Sequence, residues 1–190
     1  MAASTTAAQT VSSEWVDEFA ERWLEAWNSR RPERVLELMT DDVVYDDSGW
    51  PQTMRGHAEV REFLDFCWRA FPDFSVAAVG GPLVASDGAR AAFWWSSRMT
   101  NAGPIDPPGI PATGKVVEYE GADFHEYRDG KVARLRVLFD MADVSRQLGL
   151  LPGRGSLGER AMVLAQQLRA RARIRTRTPR EGVSVTPRSR

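Results

Sequence analysis

The sequence predicts an α+β fold in which three N-terminal helices precede a curved antiparallel sheet. Three observations carry that expectation. Apolar residues recur at helical spacing up to about Phe71, and they alternate at strand spacing from Ser75 to Phe139. Asp129-Gly130 then sits between two alternating runs, which is the two-residue signal of a tight hairpin.

The elements follow in order. "SSEWVDEFAERWLEAWNS" predicts a first helix with Ser13 as N-cap and Trp15, Phe19, Trp23 or Leu24, and Trp27 on one face. "RPERVLELMTDD" predicts a shorter second helix, and "VVYDD" a short strand running into the turn-rich "SGWPQTMRG". "HAEVREFLDFCWRAFPDF" predicts a third helix with Val60, Phe63, Leu64, Cys67 or Trp68, and Phe71 on its apolar face, closed by Pro72. Strands are expected in "SVAAVGGPLVAS", "RAAFWWSSRMT", "VVEYEGADFHEY" and "KVARLRVLFD". The Pro/Gly-rich "NAGPIDPPGIPATG" between two of them reads as a lid-like loop. The chain thus divides into a disordered start (1–13), a globular body (14–151), an amphipathic basic helix (152–178) and a disordered end (179–190).

Composition narrows the function classes. A 43% hydrophobic content allows a sizeable core, and seven Trp with eight Phe predict a cavity walled by aromatic rings. Cys67 is the only cysteine, so no intrachain disulfide can form and a reducing, cytoplasmic setting is expected. Cys67 reads as a small core residue rather than a nucleophile. One Cys and two His provide no zinc constellation, and neither a GxGxxG nor a P-loop is present, so no metal, nucleotide or flavin cofactor is expected. No apolar run reaches membrane-spanning length, and the N-terminus lacks the pattern of a signal peptide. Residues 152–190 hold ten Arg and two acids, leaving 15 bases and 24 acids in the body. A body this acidic is a poor nucleic-acid partner, and the basic tail has no aromatic residue for base stacking.

The hairpin signal permits a register. If Arg128 faces Lys131 and the ladder continues evenly, Ala122 faces Val137, Phe124 faces Leu135 and Glu120 faces Phe139. Ala122, Phe124, Ala133, Leu135, Val137 and Phe139 then form the dry face. Asp123, His125, Tyr127, Arg134 and Arg136 face outward as a polar ladder or subunit contact rather than as catalysts. Glu118 and Glu120 share the inward parity, either lining a cavity or overhanging the core into water.

These residues carry a resemblance. "GIPATGKVVEYEGADFHEYRDGKV" followed by "FDMADVSRQLGLLP" resembles the SnoaL-like, polyketide-cyclase-like branch of the nuclear-transport-factor-2-like superfamily, over about Glu14 to Leu151. The resemblance implies a cone-shaped curved sheet wrapped by the three helices. It implies a hydrophobic small-molecule substrate and a homodimer formed through the open sheet face. Trp23, Trp27, Trp50, Phe63, Trp94, Glu118, Phe124, Val137 and Phe139 are the candidate substrate-binding residues.

The catalytic residues of relatives carry over unevenly. Val137 stands where SnoaL-like cyclases and limonene-epoxide-hydrolase-like members place an acid–base Asp. Arg98 is kept from an Arg-x-Asp pattern, but Thr100 replaces its acid. The general-base Asp of ketosteroid-isomerase-like relatives matches Asp47 in "YDDSGWPQTMRG". Their oxyanion donors fall on Trp23 and Ala122, and Ala122 has no donor to offer. Asp47 is therefore the expected base, with Tyr45, Arg98 or a protonated Glu120 stabilising an enolate. The alternative is that Asp46 and Asp47 only shape the turn before Ser48-Gly49.

Three classes stand open: an enolate-forming cyclase or isomerase, a hydrolase or dehydratase using Asp47 and Glu120, and a non-catalytic binding or assembly subunit. In the tail, Ser156 and Glu159 predict a capping box, and Leu157, Ala161, Leu164 and Leu168 an apolar stripe before an Arg run. That helix is expected to dock within a dimer in preference to a membrane surface.

Overall fold

The computed structural model describes residues 11–106 and 108–177. They divide between Leu151 and Pro152 into two compact units. The first comprises α1 (Ser13–Asn28), α2 (Pro32–Leu36), β1 (Met39–Asp47), β2 (Met54–Arg55), α3 (Gly56–Ala70), β3 (Ser75–Ala78), β4 (Leu83–Val84), β5 (Arg90–Thr100), β6 (Val116–Arg128), β7 (Lys131–Phe139) and α4 (Met141–Leu148). The second contains α5 (Leu157–Arg177).

The three expected helices form for the reasons their spacing suggests. Ser12, one residue before the expected cap, accepts a hydrogen bond from the Trp15 backbone N–H and starts α1. Val16, Phe19, Trp23 and Ala26 make its buried stripe. Full burial of a side chain such as Phe19 contributes about 2–3 kcal/mol. Proline opens α2, where the missing N–H is not needed. In α3, Val60, Phe63, Leu64 and Ala70 are buried, and the helix stops at Phe71 before Pro72. Val11 is buried and donates its N–H to the Gly88 carbonyl, so order begins before residue 13. The expectation of disorder at 179–190 lies outside the described residues.

The sheet runs β2-β1-β7-β6-β5-β3, with β4 also paired to β5. It is mixed rather than wholly antiparallel, because β1 lies parallel to β7. The helix α4 went unpredicted. Asp140 caps its start by accepting from the Asp143 N–H, and Gly149 ends it in the left-handed region at φ 82°.

The hairpin explains the largest departure from the expected register. Asp129 and Gly130 both adopt positive φ, and Arg128 pairs with Lys131 as the turn signal requires. Tyr127 then pairs with Val132, but Glu126 pairs with Arg134, leaving Ala133 as an extra residue on β7. This one-residue bulge shifts every later pair by one. Asp123 consequently faces Val137 and His125 faces Leu135. Asp123, His125 and Tyr127 are buried, contrary to the outward placement predicted for them. The opposite face carries Ala122, Phe124, Glu118 and Glu120, together with Arg134, Arg136 and the exposed Leu138. The open face is therefore apolar around Trp94, Phe124 and Leu138, and the predicted Asp123/His125 ladder is not on it.

The inward face packs against α1. The rings of Trp23 and His125 lie 4.8 Å apart, and Trp15 meets Tyr127 edge-on at 5.0 Å. The loop after β5 is tied down by Asn101, which is fully buried and accepts from the Thr113 N–H while donating to the Gly103 carbonyl. In α5 half of the expected capping box forms: Ser156 Oγ accepts from the Glu159 N–H, while Glu159 accepts from the N–H of Gly155, one residue before the cap.

Candidate active site

Between the inward sheet face and the helices lies a cavity of about 540 Å³. Trp23 and Trp27 of α1, Phe63 and Cys67 of α3, and Phe93 and Trp95 of β5 contribute to its walls. Val137 and Phe139 of β7 line it as well, and Val144 and Leu148 of α4 close another side. Its size and apolar character are those of a small-molecule site. The only charged residues along it are Asp47 and Asp123, among the described residues.

Asp47 ends β1. Alternation along that strand turns Val43, Tyr45 and Asp47 to the same inward face, beside Leu135 and Val137 of β7. The chain then turns: Ser48 donates its N–H and its hydroxyl to the Val137 carbonyl, and Gly49 donates its N–H to Asp47 Oδ1 at 2.7 Å. The Tyr45 hydroxyl donates to Asp47 Oδ2 at 2.8 Å. Asp47 thus makes the Asx-type turn and also faces the cavity.

Gly49 sits in tight quarters beside Asp47. A Cβ there would stand 3.1 Å from the Phe139 ring and 3.2 Å from Asp47 Oδ1. Burial raises the Asp47 pKa to about 6, against the lowering effects of the Gly49 N–H and the Tyr45 hydroxyl, with the nearby Asp123 charge adding to the rise. Burial also pushes the Tyr45 phenol well up, helped by the charge of Asp47, so it stays a donor.

Asp123 is the residue that sequence reasoning missed. It lies on β6 directly across from Val137, in the same transverse row as Asp47. Trp95 Nε1 donates to its Oδ1 at 2.7 Å, and Trp23 Nε1 donates to its Oδ2 at 3.1 Å. His125 Nε2 stands 3.5 Å from Oδ2, beyond hydrogen-bonding geometry, while its Nδ1 is 3.3 Å from the Tyr127 hydroxyl. Trp95 reaches Asp123 because Gly121 leaves space for its ring: a Cβ at Gly121 would sit 2.4 Å from Trp95 Cη2. Tyr119, two residues before Gly121 on the same face, also lines the cavity. Its phenol is raised above the ordinary value by burial and has a hydrogen-bonding neighbour in the Ser97 hydroxyl.

The remaining predicted site residues separate into two groups. Trp23, Trp27, Trp50, Phe63, Val137 and Phe139 line the cavity together with Tyr45 and Asp47, and Trp94 borders it while its exposed side chain lies on the open face. Glu118, Glu120, Arg98 and Phe124 do not line it, because the bulge turns them to the open face. There Arg98 pairs with Glu118 at 3.2 Å, and Glu120 accepts from Trp94 Nε1 at 3.1 Å. Thr100, at the expected acid position, binds Asp73 through its N–H and hydroxyl. Cys67 borders the cavity with its thiol pKa pushed well up by burial, an environment for packing rather than attack. Among the described residues, no three His, Cys, Asp or Glu side chains gather to hold a metal ion.

Residues 20–135 match the model of the SnoaL-like domain, well over half of the chain. The chain belongs to the SnoaL-like family. Solved structures share its fold. AclR from Streptomyces galilaeus is 18% identical, with a TM-score of 0.63 over 88% of this SnoaL-like chain and 100% of its own. TsrD from Streptomyces laurentii is 23% identical, with a TM-score of 0.63 over 74% and 99% respectively. A candidate polyketide cyclase from Xanthomonas campestris pv. campestris is 18% identical, with a TM-score of 0.64 over 72% and 99%. No curated protein matches the chain.

Proposed function

We propose that this SnoaL-like protein is a cofactor-independent acid–base enzyme acting on a hydrophobic carbonyl compound, with Asp47 as the group that moves the proton. The observation that carries the reading is a carboxylate facing an aromatic cavity and held by two donors, whose pKa desolvation raises to about 6. Such a group is ionised at neutral pH yet returns a proton readily, which suits a general base that becomes a general acid within one cycle.

In this mechanism a ketone lies among the tryptophans with a carbon-bound proton next to its carbonyl, within reach of Asp47. Asp47 takes that proton, and the electrons move onto the carbonyl oxygen as an enolate. Tyr119, an inward phenol held neutral by burial, is the proposed donor to that oxygen. It takes the part assigned on sequence grounds to Arg98 or Glu120, neither of which reaches the cavity. Tyr45 keeps the Asp47 carboxylate oriented through its 2.8 Å bond. The enolate then attacks a second carbonyl in the same molecule or is reprotonated elsewhere, giving cyclisation or isomerisation. The likeness to the Xanthomonas candidate polyketide cyclase agrees with the first outcome.

Turnover of polyketide-like β-keto esters, followed by chromatography of the ring-closed product, tests the proposal. Asp47→Asn should lower the rate by roughly 10²–10⁴-fold, the usual contribution of a general base. A variant as fast as wild type would remove Asp47 from the chemistry.

A second reading has an observation of its own in Asp123. Two carboxylates in one row, with Asp123 in place of the expected Glu120, also suit the addition or removal of water. Incorporation of ¹⁸O from labelled water into product would favour that reading over the enolate route.

A further inference from the structure

The polar groups around the cavity are unevenly balanced between donors and acceptors. Asp47 and Asp123 supply four carboxylate oxygens, and each accepts one protein hydrogen bond: Gly49 N–H and Tyr45 O–H on Asp47, Trp95 and Trp23 indole N–H on Asp123. A carboxylate oxygen has a second lone-pair site, so every one of the four retains acceptor capacity. The donors run the other way. The indoles of Trp23 and Trp95 are engaged with Asp123, and the Tyr45 hydroxyl with Asp47. No Lys, Arg or His lines the cavity among the described residues. The donors outside those bonds, the unpartnered Trp27 indole N–H and the Tyr119 phenol among them, are neutral, so an anion would meet hydrogen-bond donors here but no positive charge to offset its own.

We infer that the cavity selects a hydrophobic ligand carrying a hydrogen-bond donor, a hydroxyl or a protonated amine, anchored on Asp123, and that it rejects carboxylates and phosphates. The inference rests on the reading of this cavity as the substrate site and adds a substrate class to it. An anionic group entering here would meet two carboxylates across apolar walls, where charge repulsion is weakly screened, and would find no cation to balance it. A hydroxyl or ammonium instead satisfies lone pairs that the fold leaves open. The anchor itself is rigid: two indoles from α1 and β5 fix the Asp123 carboxylate, and the buried His125 stands behind it. Asp123 and Asp47 lie on strands separated by one other, roughly 10 Å apart at the backbone. A ligand held at Asp123 by its donor therefore presents the opposite end of a short apolar skeleton to Asp47. That fits a hydroxylated ketone in which the hydroxyl orients and the carbonyl reacts.

Calorimetric binding of three ligands on one skeleton tests the inference: 1-adamantanemethanol, 1-adamantanemethylamine and 1-adamantanecarboxylic acid, titrated into the full chain at pH 7.5. The alcohol, the amine or both should bind at least about tenfold more tightly than the acid, a difference of 1.4 kcal/mol. Asp123→Asn should weaken the preferred ligand by about tenfold and narrow its lead over the acid. A loss confined to the amine identifies an ammonium as the recognised donor, and a comparable loss for the alcohol identifies a hydroxyl. Equal binding of all three, tighter binding of the acid, or no binding of any at its solubility limit overturns the inference. If Asp123→Asn fails to fold, the ranking on the wild-type protein still decides. Binding is read without turnover, so this result stands apart from the catalytic role of Asp47: the ranking can fail while Asp47→Asn still abolishes activity, or hold while it does not.

Discussion

Asp47 and Asp123 occupy one row across the sheet, with Val137 between them on β7. Their surroundings differ in kind. Asp47 is held by a backbone N–H and a phenol from within two residues of it in the chain, whereas Asp123 is held by one indole from the neighbouring strand β5 and one from α1. One is thus supported locally, and the other depends on the whole cavity being assembled.

Asp47 should cost the fold stability once it ionises. A carboxyl whose pKa rises from 3.8 unfolded to about 6 folded binds its proton more tightly in the native state. The associated stability is present below about pH 4 and is lost as pH rises through about 6. The shift corresponds to about 3 kcal/mol. Asp47→Asn removes that ionisation but bonds less well to Gly49 and Tyr45, each such bond contributing about 1 kcal/mol. The variant should therefore be more stable than wild type at pH 7.5 by about 1–2 kcal/mol. The gain should vanish at pH 4, as thermal unfolding at the two pH values will show.

Tyr45→Phe removes the hydroxyl that favours the ionised form of Asp47. The Asp47 pKa should rise above its present value of about 6. The pH–rate profile of any reaction dependent on it should move upward in parallel, by up to about one unit for a bond contributing about 1 kcal/mol. An unchanged inflection, with only the rate reduced, would assign Tyr45 to substrate binding instead.

Gly121→Ala should displace Trp95. The added methyl would meet the Trp95 ring at 2.4 Å and the Leu138 carbonyl oxygen at 2.9 Å. The ring moves, its 2.7 Å bond to Asp123 is lost, and overpacking lowers stability by about 1–3 kcal/mol. A lower Tm together with altered tryptophan fluorescence is the expected result.

Much of this fold was legible in the sequence. The α1 and α3 stripes, the Pro72 stop and the Asp129-Gly130 turn all act within a few residues, where spacing and backbone preference decide the outcome. Asp47 was legible for the same reason, since alternation from Val43 through Tyr45 carries it inward. The face of β6 was not. One unpaired residue, Ala133, reverses the parity of β6 relative to β7, and nothing in "KVARLRVLFD" marks it. One available signal was the burial of "DFHEY": an inward Asp-x-His-x-Tyr is tolerable only where indole and phenol partners wait, and Trp23 and Trp95 come from segments far away in the chain. The helix α4 did have local signals, Asp140 at its cap and Gly149 at its end.

The bulge makes its own prediction. Val132, Leu135 and Val137 already point inward on either side of Ala133, so deleting Ala133 leaves a regular ladder with every face unchanged. That deletion should fold. Deleting Arg136 should not, because it would turn Val137 outward and Leu138 inward. Circular dichroism and thermal unfolding of the two deletion variants distinguish them.

Proton exchange is the most direct measurement of what Asp47 does. Wild type and Asp47→Asn are incubated in D₂O with hydrophobic ketones, and loss of the proton signal next to the carbonyl is followed by NMR. The wild-type protein should catalyse exchange at a rate that rises with pH through about 6, as Asp47 ionises, and Asp47→Asn should bind the same ketones without exchanging them. Exchange at an undiminished rate in Asp47→Asn, or ketones bound by the wild type with no exchange at any pH, would contradict the assignment of Asp47 as the base.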